Sequence, residues 1–115
     1  MSMSKVILFG RLGKDPELKQ TSGGDVSTAS VVTNDVWVDE AGKRQEHTEW
    51  HRVVFWNKLA KNASTILRKG SQVYIEGRLQ TRKWNDKDGI ERYTTEIIAE
   101  RLESISQGAR EEATA

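Results

Sequence analysis

One stretch of helical period interrupts a chain that otherwise alternates, and this interruption narrows the folds open to it. Leu59, Ala63, Ile66 and Leu67 fall at i, i+4, i+7 and i+8, the apolar face of a helix of about three turns. Asn57 stands where a capping residue is wanted, and Lys69-Gly70 stands where a helix ends, with Gly70 suited to the left-handed position. Three period-two segments precede the helix, at 5–12, 26–38 and 46–56, and two follow it, at 72–84 and 90–105. Asp15-Pro16 and Ser22-Gly23-Gly24-Asp25 read as turns, and Asn85 to Gly89 as a hairpin loop.

Three strands, one helix and two strands predict an all-β domain with one short helix. The order matches a five-stranded Greek-key barrel, the OB-fold, with its helix between the third and fourth strands. Gly10, Gly13 and Gly77 break strands where a small barrel must bend. Order alone does not fix pairing, so a five-stranded sheet under one helix in another topology is the alternative. With 115 residues the chain suits a single domain, expected over 1–105, with a short flexible tail over 106–115 where no apolar period is present.

The third strand carries the residues that bear on function. Its odd positions hold Glu49, His51, Val53 and Phe55, apolar enough at one end to face a core. Its even positions hold Thr48, Trp50, Arg52, Val54 and Trp56. A tryptophan is often core, but an arginine between two of them is seldom buried without a partner. Flat rings beside a planar cation suit an unpaired base and its phosphate. The fourth strand repeats the theme. Val73, Ile75, Gly77 and Leu79 face one way, while Arg78, Arg82 and Trp84 face the other, and Lys83 stands beside them. Trp37 lies by the hairpin between strands two and three.

The net charge is only +1, but residues 58–92 hold nine basic and four acidic side chains, a surplus of +5 that leaves −4 for the rest. There are no cysteines, so disulfides, thiolate chemistry and cysteine metal sites are excluded. No apolar run approaches the ~20 residues of a membrane span, and no secretory pattern opens the chain; no membrane partner and a cytoplasmic, nucleoid-associated setting are expected. His47 and His51 share a strand face, but four extended residues separate them by about 13 Å, too far to chelate one metal. No metal, cofactor or catalytic residue is expected, since His51 has only Glu49 as a same-face neighbour and lacks a nucleophile.

Several blocks resemble the bacterial single-stranded DNA-binding protein family: Thr48 to Val54, Leu67 to Gly77, Thr81 to Trp84, Arg92 to Glu96, and the opening Lys5-Val6-Ile7-Leu8 with Gly10, Leu12-Gly13 and Asp15-Pro16. The likeness runs in order from about residue 4 to 102. It implies a homotetramer that wraps single-stranded DNA without reading its sequence, in replication, recombination and repair. It makes Trp37, Trp50, Trp56 and Trp84 stacking residues, and Arg52, Lys58, Arg68, Lys69, Arg82 and Lys83 phosphate contacts. It also puts Lys5, Val6, Ile7, Leu8, His51 and Tyr74 at subunit contacts. Two departures stand out. Trp56-Asn57 replaces the family's usual Phe-Gly, which changes the approach into the helix. The chain ends at Arg110 to Ala115 in place of a Gly/Gln/Pro-rich linker with an acidic, hydrophobic-ended tip, so recruitment of replication or repair proteins through such a tip is not expected. A truncated chain and a short form from a phage, plasmid or other mobile element both fit that ending.

Two other functions compete. One is an OB-fold module that binds protein first, within a primosome-like assembly. The other is a small hydrolase or nuclease, which lacks the clustered acids or histidines such chemistry requires.

Overall fold

The structure, a computed structural model, describes residues 1–106 and 109–114, with side chains through residue 105. Its elements are β1 (Val6–Leu12), β2 (Glu17–Thr21), β3 (Gly24–Val38), β4 (Arg44–Trp56), α1 (Asn57–Ile66), β5 (Gln72–Asn85), β6 (Glu91–Ser106) and β7 (Ala109–Thr114). The five expected strands are β1, β3, β4, β5 and β6. The added β2 pairs antiparallel with β3 from Glu17↔Thr28 to Thr21↔Gly24. All five of its side chains are exposed, so no apolar alternation could announce it.

The pairing runs β1–β5–β6–β4–β3, and β3 returns to β1 through Arg11↔Val32 and Leu12↔Val31. That return closes the sheet on itself. Every pair is antiparallel except β4–β6, which is parallel at Val53↔Ile97 and Val54↔Ile98. A parallel neighbour needs a crossover, and α1 with β5 supplies it. This is the OB-fold barrel, and the observed pairing replaces the alternative of a five-stranded sheet in another topology.

Glycine permits the two tightest corners. β1 crosses from β5 to β3 at Gly10, where a side chain would strike the Val32 carbonyl. A bulge in β6 at Glu100, opposite Glu76 and Gly77, bends the β5–β6 pair, and a side chain at Gly77 would strike the Ile98 carbonyl. Alternate residues point inward: Ala29 and Val31 from β3, Val53 and Phe55 from β4, Val73 and Ile75 from β5, Ile97, Ala99 and Leu102 from β6. Leu59, Ala60 and Ala63 of α1 and the following Leu67 pack on this core.

Asn57 does not cap α1. Trp56 occupies the N-cap position without a side-chain bond, and Asn57 is the first helical residue, at φ +54°. A left-handed conformation suits Gly and is tolerated by Asn. That requirement is the physical reason Asn can stand where the family resemblance places Gly. The helix ends before Lys69, with Leu67 already extended. Gly70, at φ +86°, belongs to the turn into β5, and its N–H donates to the Leu12 carbonyl at 2.8 Å.

Two hairpins extend past the barrel. The β5–β6 arm begins beyond Gly77, and Arg78 to Asn85 are exposed throughout. Leu79 keeps the alternation of Val73 and Ile75 but is exposed, because the strand has already left the core. The outer half of β3, from Asn34 to Val38, pairs with Arg44 to Thr48 to form the other arm. Of the segment 106–115, expected to be a loose tail, residues 107, 108 and 115 lie outside the described residues. The backbone of Ala109–Thr114 pairs with β6 from Arg101↔Thr114 to Ser106↔Ala109. β4 meets β6 only near Ile97 and Ile98, so the edge of β6 beyond them offers unpaired backbone groups that β7 takes up.

Candidate nucleic-acid interface

β4, β6 and β5 are neighbours in the sheet, and their outward residues form one surface. Alternation puts Trp50, Arg52 and Trp56 on the outward side of β4. The parallel register sets Arg52 beside Glu96 on β6. From β5, Arg82 and Trp84 reach the same side: Arg82 Nε donates to Glu96 at 3.1 Å, and Trp84 Nε1 donates to the Thr94 hydroxyl at 2.8 Å. The two blocks read separately from the sequence are therefore a single face, joined at Glu96.

The four indoles are open to solvent, at 49% for Trp37, 62% for Trp50, 39% for Trp56 and 41% for Trp84. They are not core, contrary to the blander reading of tryptophan. Local packing fixes two of them. Trp50 lies against Gly13, where any side chain would run into its ring. Trp84 is pinned through its N–H to Thr94. Trp50 and Trp56 stand six residues apart on β4, about 20 Å. Trp37 sits apart from this face, near the tip of the β3–β4 arm, opposite Gln45.

The cations stand in different settings. Arg52 donates from Nε to Glu96 Oε2, and Arg82 from Nε to Oε1. Arg68 turns back onto its own helix, where its NH1 donates to the carbonyls of Ser64, Thr65 and Leu67. That bond set neutralises the helix's carboxyl end, so Arg68 has a structural task besides any ligand. Lys83 pairs with Glu91 at 3.3 Å, and Lys58 is exposed at the start of α1. Lys69 lies in the turn after α1, with its backbone N–H on Asp15 at 2.7 Å. Along the arm, Arg92 also pairs with Asp86 at 3.0 Å, so the basic run is less positive in space than in sequence.

Sequence reasoning missed Lys14, Lys19 and Glu96. A cleft of about 100 Å³ on the barrel wall is lined by Lys14, Glu17, Lys19, Val26, Thr28, Ala29, Ser30 and Arg52. Lys14 precedes the unforeseen β2 and Lys19 lies within it, and neither carries a motif. Glu96 had a faint signal, an acid in the midst of a β-branched strand. Tyr93 is also exposed on the arm, and its hydroxyl donates to Glu91, which pushes the phenol's pKa up.

The residues expected at subunit contacts lie elsewhere. Ile7 and Phe9 are exposed on the outer side of β1, whereas Leu8 faces the core. Lys5 Nζ and the Tyr74 hydroxyl both meet Glu76, at 3.2 and 2.7 Å, and Val6 packs at the core's margin. The Tyr74 hydroxyl, with Lys5 next, holds the Glu76 carboxyl below its ordinary pKa. His51 Nε2 and the Thr33 hydroxyl lie 2.9 Å apart. Among the described residues, no three His, Asp or Glu side chains gather as a metal site.

The model of the single-strand binding protein family matches residues 3–105 of this chain. A solved structure of a Plasmodium falciparum SSB complex with ssDNA is similar to it, with a TM-score of 0.76 and 34% identity, over 100% of this chain and 96% of that one.

Proposed function

This chain belongs to the single-strand binding protein family, and from that premise we propose that it binds single-stranded DNA by stacking bases on Trp50, Trp56, Trp84 and Trp37. The observation that carries the reading is the exposed face on which Trp50, Arg52, Trp56, Arg82 and Trp84 lie together. Indole faces accept any base, so binding ignores sequence. Arg52, Arg82, Lys83 and Lys58 meet phosphates, and Lys14 and Lys19 extend the cationic track past β2. The protein acts as a binding protein in replication, recombination and repair rather than as an enzyme. It works as a homotetramer, with Ile7 and Phe9 of β1 covered by a second subunit.

Tryptophan emission tests the reading. Adding poly(dT) to micromolar protein is expected to quench it strongly, and added salt to restore it. Emission unchanged in excess oligonucleotide would reject stacking on these rings.

A further inference from the structure

A carboxylate in the middle of a surface for a polyanion is out of place on charge grounds alone. Glu96 is such a group. It is only 7% exposed, so it does not serve solubility, and it sits between two arginines from different strands. Arg52 of β4 donates from Nε to one of its oxygens, and Arg82 of β5 from Nε to the other. A guanidinium has five N–H donors, and this arrangement uses one from each. The four on the terminal nitrogens remain, and each arginine side chain is 49% exposed.

We propose that Glu96 is a positioning residue, which holds Arg52 and Arg82 at a fixed spacing with their terminal nitrogens presented to the phosphates of single-stranded DNA. The inference rests on the single-stranded DNA reading above. Two free arginines would each lose rotamer freedom on binding, whereas a shared buried carboxylate removes that freedom beforehand. It also selects Arg over Lys at both places, since an ammonium cannot bond sideways to Glu96 and forward to a phosphate with fixed geometry.

Glu96→Gln tests this, because it keeps the shape while raising the net charge by one. Titrations with a dT oligomer at fixed salt would compare wild type, Glu96→Gln, the Arg52→Ala/Arg82→Ala variant, and the triple variant, with melting curves as a folding control. Glu96→Gln is expected to bind about tenfold more weakly despite its added positive charge. In the background without both arginines it is expected to have no such effect. Equal or tighter binding by Glu96→Gln, or the same loss without the arginines, overturns the positioning role. A wild type that does not bind overturns the single-stranded DNA reading itself. Should Glu96→Gln fail to fold, arginine Nε–Hε resonances of the wild type decide the matter. They are expected to exchange slowly with solvent in the free protein, as Nε–H groups held by Glu96, and Nε–Hε signals of Arg52 and Arg82 that exchange as fast as those of unpaired arginines overturn the proposal.

Discussion

Single side chains carry the proposed binding, and Trp50 and Trp84 are each held by a nameable neighbour. Trp50 rests on Gly13 and is the most exposed of the four indoles, at 62%. Trp50→Ala is expected to weaken binding to dT oligomers by about 1–3 kcal/mol, with the melting transition still cooperative and close to wild type. Unfolding of that variant would mean the ring supports the barrel. Asn57 shows a second kind of constraint, imposed on the backbone. Its φ of +54° penalises a Cβ, so Asn57→Ala is expected to lower stability by about 1–2 kcal/mol in denaturant melts, and Asn57→Gly to be tolerated. The sequence showed where these residues stood and what types they were. It did not show that position 57 is left-handed, because the sign of φ depends on how β4 must turn into α1.

At the scale of elements, the β5–β6 arm has little core of its own, and its tip depends on one carboxylate. Asp86 accepts the backbone N–H groups of Asp88 and Ile90, both at 2.9 Å, and the Arg92 Nε at 3.0 Å. The Ile90 N–H foremost, with Arg92 and Asp88, holds this carboxyl below the ordinary aspartate value of 3.8. A depressed folded-state pKa stabilises the arm above that ordinary value and is lost as pH falls through the lower one. Acid titration followed by NMR is therefore expected to loosen the tip below the usual aspartate range. Asp86→Ala at neutral pH is expected to speed amide exchange at Asp88 and Ile90 and leave the barrel amides protected. Protected tip amides in that variant would show that the ladder suffices without Asp86. The arm was legible as a strand pair from its alternation and its Asn85-to-Gly89 loop. That it leaves the barrel was not, because Leu79 is as apolar as Ile75 and only the bulge of β6 opposite Gly77 separates an exposed residue from a buried one.

For the whole molecule, the outer side of β1 sets the expected assembly. Ile7 and Phe9 are 58% and 53% exposed on one strand, and paired copies would remove both from water. Light scattering is expected to give a tetramer for the wild type and a smaller species for Ile7→Asp, with the circular dichroism of the barrel kept. A wild-type monomer at high concentration would remove the assembly from the reading. By itself the sequence determined the five barrel strands, the single helix between the third and fourth, and the side of each strand that carries tryptophan and arginine. Those follow from the pleat and the helical turn, which are periodic along the chain and need no distant partner. Only the tertiary structure decided that β3 returns to β1, that a fully exposed β2 pairs at all, and that Arg52 and Arg82 converge on Glu96. Glu96 lies 44 residues from Arg52 and 14 from Arg82; the parallel β4–β6 pair and the β5–β6 hairpin together bring the three side chains to one place.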